Sequence, residues 1–249
     1  MRQLHKRHIL LFRLLRDHFL FLTRKQGELV LALPTNSMNK ELKWLVSEKY
    51  LARRYRADSF GHFQKPVYYL GPLGWHLVGK MAEEYKEYRR QIVQRAERHV
   101  DHTLAVFDVF LKFILQSKVN RIINSEDKLW QEAIEFGNLP DGWIQFNDLG
   151  AFIEVDQGSE RPIVLKRKFD KYIGFNESGA YAKLFPEHAF KLLVFMTTEG
   201  RIESVQQTTY SDDIWFCTMD EFLREPLDHA HWFALRGFYA LSNPSKKEV

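Results

Sequence analysis

Three carboxylates and a lysine in the second half of the chain carry the clearest chemical signal. Asp141 follows Pro140 and opens the strand-like run Gly142-Trp143-Ile144-Gln145-Phe146, and Glu154-Val155-Asp156 closes the next run, which begins at Gly150. Alternation along a strand puts Glu154 and Asp156 on one face, and Asp141, at the start of the neighbouring strand, can join them at one sheet end. Carboxylates gathered that closely repel one another unless a divalent cation or a basic side chain neutralises them. Lys168, beside Lys166 and Arg167 on the following helical segment, supplies the basic alternative, and Glu132 a fourth carboxylate. Carboxylates that hold Mg²⁺ or Mn²⁺, with a lysine that orients water, are the parts of a metal-dependent phosphodiesterase. Asp141, Glu154, Asp156 and Lys168 are therefore the catalytic candidates, and the three acids the metal candidates. The same residues can equally be solvated carboxylates or structural ion pairs.

The elements that must position them alternate helix and strand. His102–Leu111 is an amphipathic helix, a shorter helix is expected around 127–136, and three strand-like stretches follow at 142–146, 150–156 and 190–197. A helix from Pro162 to Tyr172 or beyond separates the last two, and Ile214–Thr218 is a final strand, giving an α/β unit with a mixed sheet. The aromatic stretches Trp232–Leu235 and Phe238-Tyr239 are read as core cover, with a dimer seam as the alternative.

The first half has a different character. Residues 1–99 hold 20 Lys and Arg against nine Asp and Glu, whereas the remainder holds 16 against 23, so a net charge of +4 conceals a basic half joined to an acidic half. A basic half points to a polyanion, nucleic acid above all. Ile9, Phe12, Leu15 and Phe19 recur at helical spacing over Lys6–Phe21. Thr23 suits the N-cap of a second helix through Leu31, and Ser37 that of a third. On the third, Met38, Leu42, Leu45 and Val46 can face inward while Asn36, Asn39, Lys40, Lys43 and Trp44 stay on or near the outside. Tyr50–Arg56 and Pro66–Leu70 then read as a hairpin around a turn at Asp58-Ser59-Phe60-Gly61. Three helices closed by a hairpin form a winged helix-turn-helix, whose third helix reads the major groove and whose wing touches adjacent backbone. The wing contacts are expected from Arg53, Arg54, Arg56 and Lys65, since cationic side chains on phosphate release counterions. A helical stretch from Trp75 to about His99 closes the unit and connects it to the second half.

Other classes lack support. The single cysteine, Cys217, makes no internal disulfide or cysteine-rich zinc site, and no apolar run approaches the roughly 20 residues needed to cross a bilayer. A Gly-rich phosphate loop and a nucleophile elbow are both missing from the sequence, as is a zinc-spaced His or Cys pair.

One set of residues also carries a resemblance: Val67-Tyr68-Tyr69-Leu70 with Gly74; His102, Val106 and Asp108-Val109; Trp130 with Glu132; Pro140-Asp141-Gly142; Glu154-Val155-Asp156 with Gly158-Ser159-Glu160; and Lys168 with Tyr172. Over roughly residues 8 to 220 this series resembles the replication-relaxation family of plasmid and mobile-element proteins, most specifically in its acidic motif and the spaced Lys and Tyr. The resemblance implies a role in plasmid replication and DNA relaxation and a second half similar to the PD-(D/E)XK nuclease fold. In that fold Pro140-Asp141 matches the PD element and Glu154 the (D/E) position. Asp156 stands where the motif has Lys, and Lys168 on the following helix can replace it.

The expectation is thus an α+β chain with a winged helix-turn-helix over 1–82, a helical connector over 83–100 and a PD-(D/E)XK-like domain over 101–249. It is expected to be cytoplasmic, to bind double-stranded DNA as a homodimer, to work with replication proteins and to have no membrane partner. DNA binding needs no cofactor, whereas Mg²⁺ or Mn²⁺ is implied if the second half is a nuclease. Three functions fit: a replication or relaxation factor, a DNA endonuclease or nickase targeted by the winged helix, and a transcriptional regulator whose second domain is inactive and dimerises.

Overall fold

The computed structural model describes residues 3–57, 63–79, 81–116, 119–124, 140–146, 149–207, 211–227, 232–234 and 237–239. The chain is α+β and divides into two compact units, Met1–Leu111 and Lys112–Val249. The helix expected around 127–136, Glu132 and the hairpin turn at Asp58–Gly61 lie outside the described residues.

The first unit opens with α1 (Lys6–Asp17), whose Leu11, Phe12, Leu14 and Leu15 are buried, and the buried Phe19 lies just beyond its end. Thr23 caps α2 (Arg24–Leu31) as its composition suggests. Its side chain accepts from the Gln26 N–H while the Gln26 side chain reaches back to the Thr23 N–H, a reciprocal cap that satisfies two otherwise orphaned donors. The third helix, α3 (Thr35–Ser47), starts two residues before the expected Ser37 cap, with Pro34 as its N-cap residue, because the fixed φ of proline suits helix entry and leaves no N–H to satisfy. Met38, Leu42 and Leu45 are its buried stripe. Gly27 on α2 lets this stripe approach, since a Cβ there would meet Met38 Cε at 2.5 Å.

The hairpin pairs β1 (Leu51–Ala57) with β2 (Phe63–Leu70) antiparallel, in register Leu51↔Leu70 and Arg53↔Tyr68, with an irregularity between Arg54 and Arg56. Leu22 adds a short bridge to Tyr68, so the segment between α1 and α2 anchors the hairpin. The single helix expected over Trp75–His99 is instead broken into α4 (Pro72–Leu77), α5 (Ala82–Gln94) and the start of α6 (Glu97–Gln116). Gly79, at φ +80°, makes the first break and Arg95, in an extended conformation, the second.

The second unit is built on one sheet in the spatial order β3 (Val119–Asn124), β4 (Gly142–Phe146), β5 (Leu149–Asp156), β6 (Leu192–Met196), β7 (Ile214–Thr218), β8 (Trp232–Ala234) and β9 (Gly237–Tyr239). Strand β4 is antiparallel to both of its neighbours, β3 and β5. A crossover through α7 (Pro162–Glu177) and α8 (Ala180–Leu184) makes β6 parallel to β5, and α9 (Glu199–Gln206) makes β7 parallel to β6. β3 was not expected, and the C-terminal aromatic stretches extend the sheet antiparallel as β8 and β9. One sheet face packs Trp143, Phe152, Val194, Met196 and Phe216 against Leu165, Phe169, Tyr172 and Phe175 of α7. On the other face Phe195 meets Phe222 of α10 (Met219–Arg224), ring centroids 4.6 Å apart, and Phe113 meets the same ring at 5.2 Å.

Candidate functional site

The acidic candidates separate into two groups. Phe152, Glu154 and Asp156 alternate onto the sheet face that α7 covers, so Glu154 points into an aromatic core and is only 5% exposed. Lys168 and Tyr172, one helical turn apart on α7, both reach it: the Lys168 ammonium binds Oε2 and the Tyr172 hydroxyl donates to Oε1. Asp141 enters from the start of β4. Its N–H donates to the Ile153 carbonyl at 3.1 Å and its Oδ2 accepts from the Val155 N–H at 2.7 Å, bracketing Glu154 along β5.

Burial pushes the Glu154 carboxyl up to about 7; Lys168 opposes this and the Asp141 carboxylate adds to it. Burial also works against the Lys168 ammonium, but attraction to Glu154 and Asp141 outweighs it, so Lys168 titrates above its ordinary value. The Tyr172 hydroxyl is raised well above its ordinary value by burial and by the Glu154 carboxylate, and it therefore stays a donor.

Asp156 does not join this group. Two residues along a strand is about 6.6 Å, and at the strand end Asp156 turns to the Arg201 guanidinium of α9 and to the Gly158 N–H, 3.1 Å away. The expected convergence of Asp141, Glu154 and Asp156 is corrected accordingly: among the described residues no three acidic, histidine or cysteine side chains gather into a metal-binding group. Each Glu154 oxygen already accepts from a protein donor, and Lys168 supplies the compensating charge. Tyr172 and Arg201 are the partners that the candidate set lacked. The i,i+4 spacing of Lys168 and Tyr172 signals the first, whereas nothing local to the sequence signals the second.

In the first unit the third-helix candidates mostly stand where expected. Asn36, Asn39, Lys40 and Lys43 are exposed and share one face of α3 at helical spacing. The only acid on that helix, Glu41, is buried and lies 3.2 Å from His8. Trp44 is half-buried, its ring centroid 5.8 Å from Tyr50 and 6.1 Å from His8, so it serves packing.

The hairpin arginines divide. Arg53 is exposed, with its guanidinium 4.8 Å from the Tyr55 ring centroid, and Lys65 is exposed too. Arg54 and Arg56, expected on phosphate, are spent inside the unit. Arg54 donates to the carbonyls of Ile92 (2.7 Å) and Arg95 (2.9 Å) and to Glu97. Arg56, 7% exposed, binds Glu97 at 2.6 Å and Asp101 at 2.5 Å. A buried guanidinium left without such partners costs several kcal/mol, and α6 supplies them.

No helix among the described residues is long and apolar enough to cross a membrane. No curated protein and no solved structure matches the chain significantly. The replication-relaxation family profile matches residues 12–187, from α1 through the hairpin to Asp141, Glu154, Lys168 and Tyr172, which is well over half of the sequence, and the chain therefore belongs to the replication-relaxation family.

Proposed function

We propose that this chain is a cytoplasmic, double-stranded-DNA-binding protein that recognises a replication or regulatory site on a plasmid or mobile element and acts there with replication proteins. In this reading residues 1–82 are a winged helix-turn-helix, 83–100 a connector and 101–249 a PD-(D/E)XK-like domain that serves as scaffold. The observation that carries it is the outer face of α3, where Asn36, Asn39, Lys40 and Lys43 stand exposed with no exposed carboxylate among them, on a helix followed directly by a hairpin that exposes Arg53 and Lys65. Asn pairs bidentately with adenine and Lys with guanine, while Arg53 and Lys65 neutralise phosphate.

Fluorescence anisotropy on duplex DNA over a salt series tests this. Arg53→Ala and Lys65→Ala each flatten the dependence of log affinity on log salt by about 0.9 per lost phosphate contact. Arg56→Gln leaves that slope unchanged, because its charge is committed to Glu97 and Asp101. Unaltered slopes for Arg53 and Lys65 would place the nucleic acid elsewhere.

A second reading, a metal-dependent nuclease or nickase, draws on Asp141, Glu154 and Lys168 meeting where three antiparallel strands hand over through a helix to a parallel one. It requires Glu154 to exchange Lys168 and Tyr172 for a cation. The scaffold reading requires no rearrangement and accounts for Asp156 facing Arg201.

A further inference from the structure

The outward face of α5 is complementary to itself. One face fixes this helix to its unit: Tyr88 and Ile92 are buried, the Tyr88 ring stacks on Trp75 at 4.6 Å, and its hydroxyl accepts from the Leu70 N–H at 3.1 Å. Between Glu83 and Arg90 the sequence is Glu-Glu-Tyr-Lys-Glu-Tyr-Arg-Arg, and each of its six charged residues is exposed. Read in reverse, every charge in this segment meets its opposite and every tyrosine meets a tyrosine. At about 100° per residue, the stripe opposite Tyr88 and Ile92 consists of Glu83, Lys86, Glu87 and Arg90.

A two-fold axis between Lys86 and Glu87 would lay a second α5 antiparallel on the first, with Glu83 facing Arg90 and Lys86 facing Glu87, each twice. A separate observation falls beside the same stripe. Val93, 63% exposed and among the most exposed large apolar side chains of the described residues, stands three residues beyond Arg90, so each copy sets it at one end of the contact. We propose that α5 is a homodimer interface, in which two copies of this chain pair their α5 helices antiparallel about that axis.

A self-complementary patch is what a closed two-fold contact requires. The Glu87–Arg90 pair within one copy, 2.7 Å and solvent-exposed, gives way readily, since exposed pairs contribute little. Thirteen residues make a helix about 20 Å long, so the contact buries less than the roughly 1,200 Å² of a strong complex. It therefore dissociates at micromolar concentration and weakens as salt screens the exposed charges.

Sedimentation of the full chain at about 100 µM in low salt, far above such a dissociation constant, tests this with charge-reversed partners. The wild type sediments near twice its 29.7 kDa. The double variant Glu83→Arg/Glu87→Arg has an all-positive stripe and Lys86→Glu/Arg90→Glu an all-negative one. Each alone is a monomer, and an equimolar mixture of the two dimerises, which a generally damaged fold cannot imitate. Val93→Asp, at a position that folding leaves exposed, weakens the wild-type dimer about tenfold or more and serves if a double variant fails to fold. A monomeric wild type, a double variant that dimerises alone, a mixture that stays monomeric, or an unaffected Val93→Asp protein overturns the proposal.

Discussion

Replacing Glu154 by Gln isolates the protonation of one buried group. The folded-state value of about 7 stands against an ordinary value of 4.5. For an acid displaced in that direction, the folded state holds its proton more tightly than the unfolded state. The stabilisation is therefore fully present below about pH 4.5 and is lost as pH rises through about 7. The displacement corresponds to about 3 kcal/mol, or roughly a hundredfold in an opening equilibrium, and at 5% exposure solvent screening does not reduce it. Glutamine keeps an oxygen for Tyr172 but cannot ionise, so the Glu154 titration is absent from the variant. Hydrogen exchange at β5 and α7 amides, corrected for intrinsic rates, reads the effect where it acts. Protection in the wild type should fall from pH 5 to pH 8 relative to Glu154→Gln, by up to the hundredfold given above. Parallel pH dependences in the two proteins would refute the assignment of a raised Glu154, and wild-type protection that grew with pH would reverse its sign.

On α3, Asn39→Ala and Lys43→Ala should each remove about 1–3 kcal/mol of preference for the specific site while changing affinity for random duplex much less; equal losses on both DNAs would exclude base reading there. Supercoiled plasmid incubated with the protein and Mn²⁺ should remain intact, with no metal binding detected by calorimetry, because Lys168 and Tyr172 already occupy Glu154. Relaxed or linear product that disappears in Asp141→Ala and Lys168→Ala would instead establish the nuclease reading.

What could be read in advance follows the range of the interactions. The α1 stripe, the Thr23 cap with Gln26 and the β1–β2 hairpin each depend on residues near one another in the chain, and periodicity or turn chemistry exposes them. The segment from Trp75 to His99 misled for the complementary reason. Nine of the sixteen residues of Glu83–Arg98 are charged and its helical period shows no break, and the interruptions at Gly79 and Arg95 depend on how α4 and α5 pack. Strand β3 reads Val-Asn-Arg-Ile-Ile-Asn, half of it polar, which does not distinguish it from loop until its pairing with β4 is known.

The candidate site fails in an instructive place. Alternation along β5 correctly assigns Glu154 and Asp156 to one face, but a face is about 6.6 Å long between those residues, and the groups that settle each carboxylate come from different helices, α7 for Glu154 and α9 for Asp156. The β1–β2 hairpin shows the same limit for cations. An arginine beside another arginine in sequence reads as a phosphate ligand, yet Arg54 and Arg56 meet acids 41 to 45 residues away. Residue type thus states which charge must be neutralised, and only the fold states whether a neighbour does so first. Among the candidates, Asn36, Asn39, Lys40, Lys43, Arg53 and Lys65 are exposed. Arg54, Arg56, Glu154 and Asp156 are drawn inward, Arg56 and the two carboxylates being buried, and all four are held by a partner distant in sequence. Burying a charge is costly enough that a partner must come with it, so a basic residue that can be placed on an exposed face is the safer functional assignment.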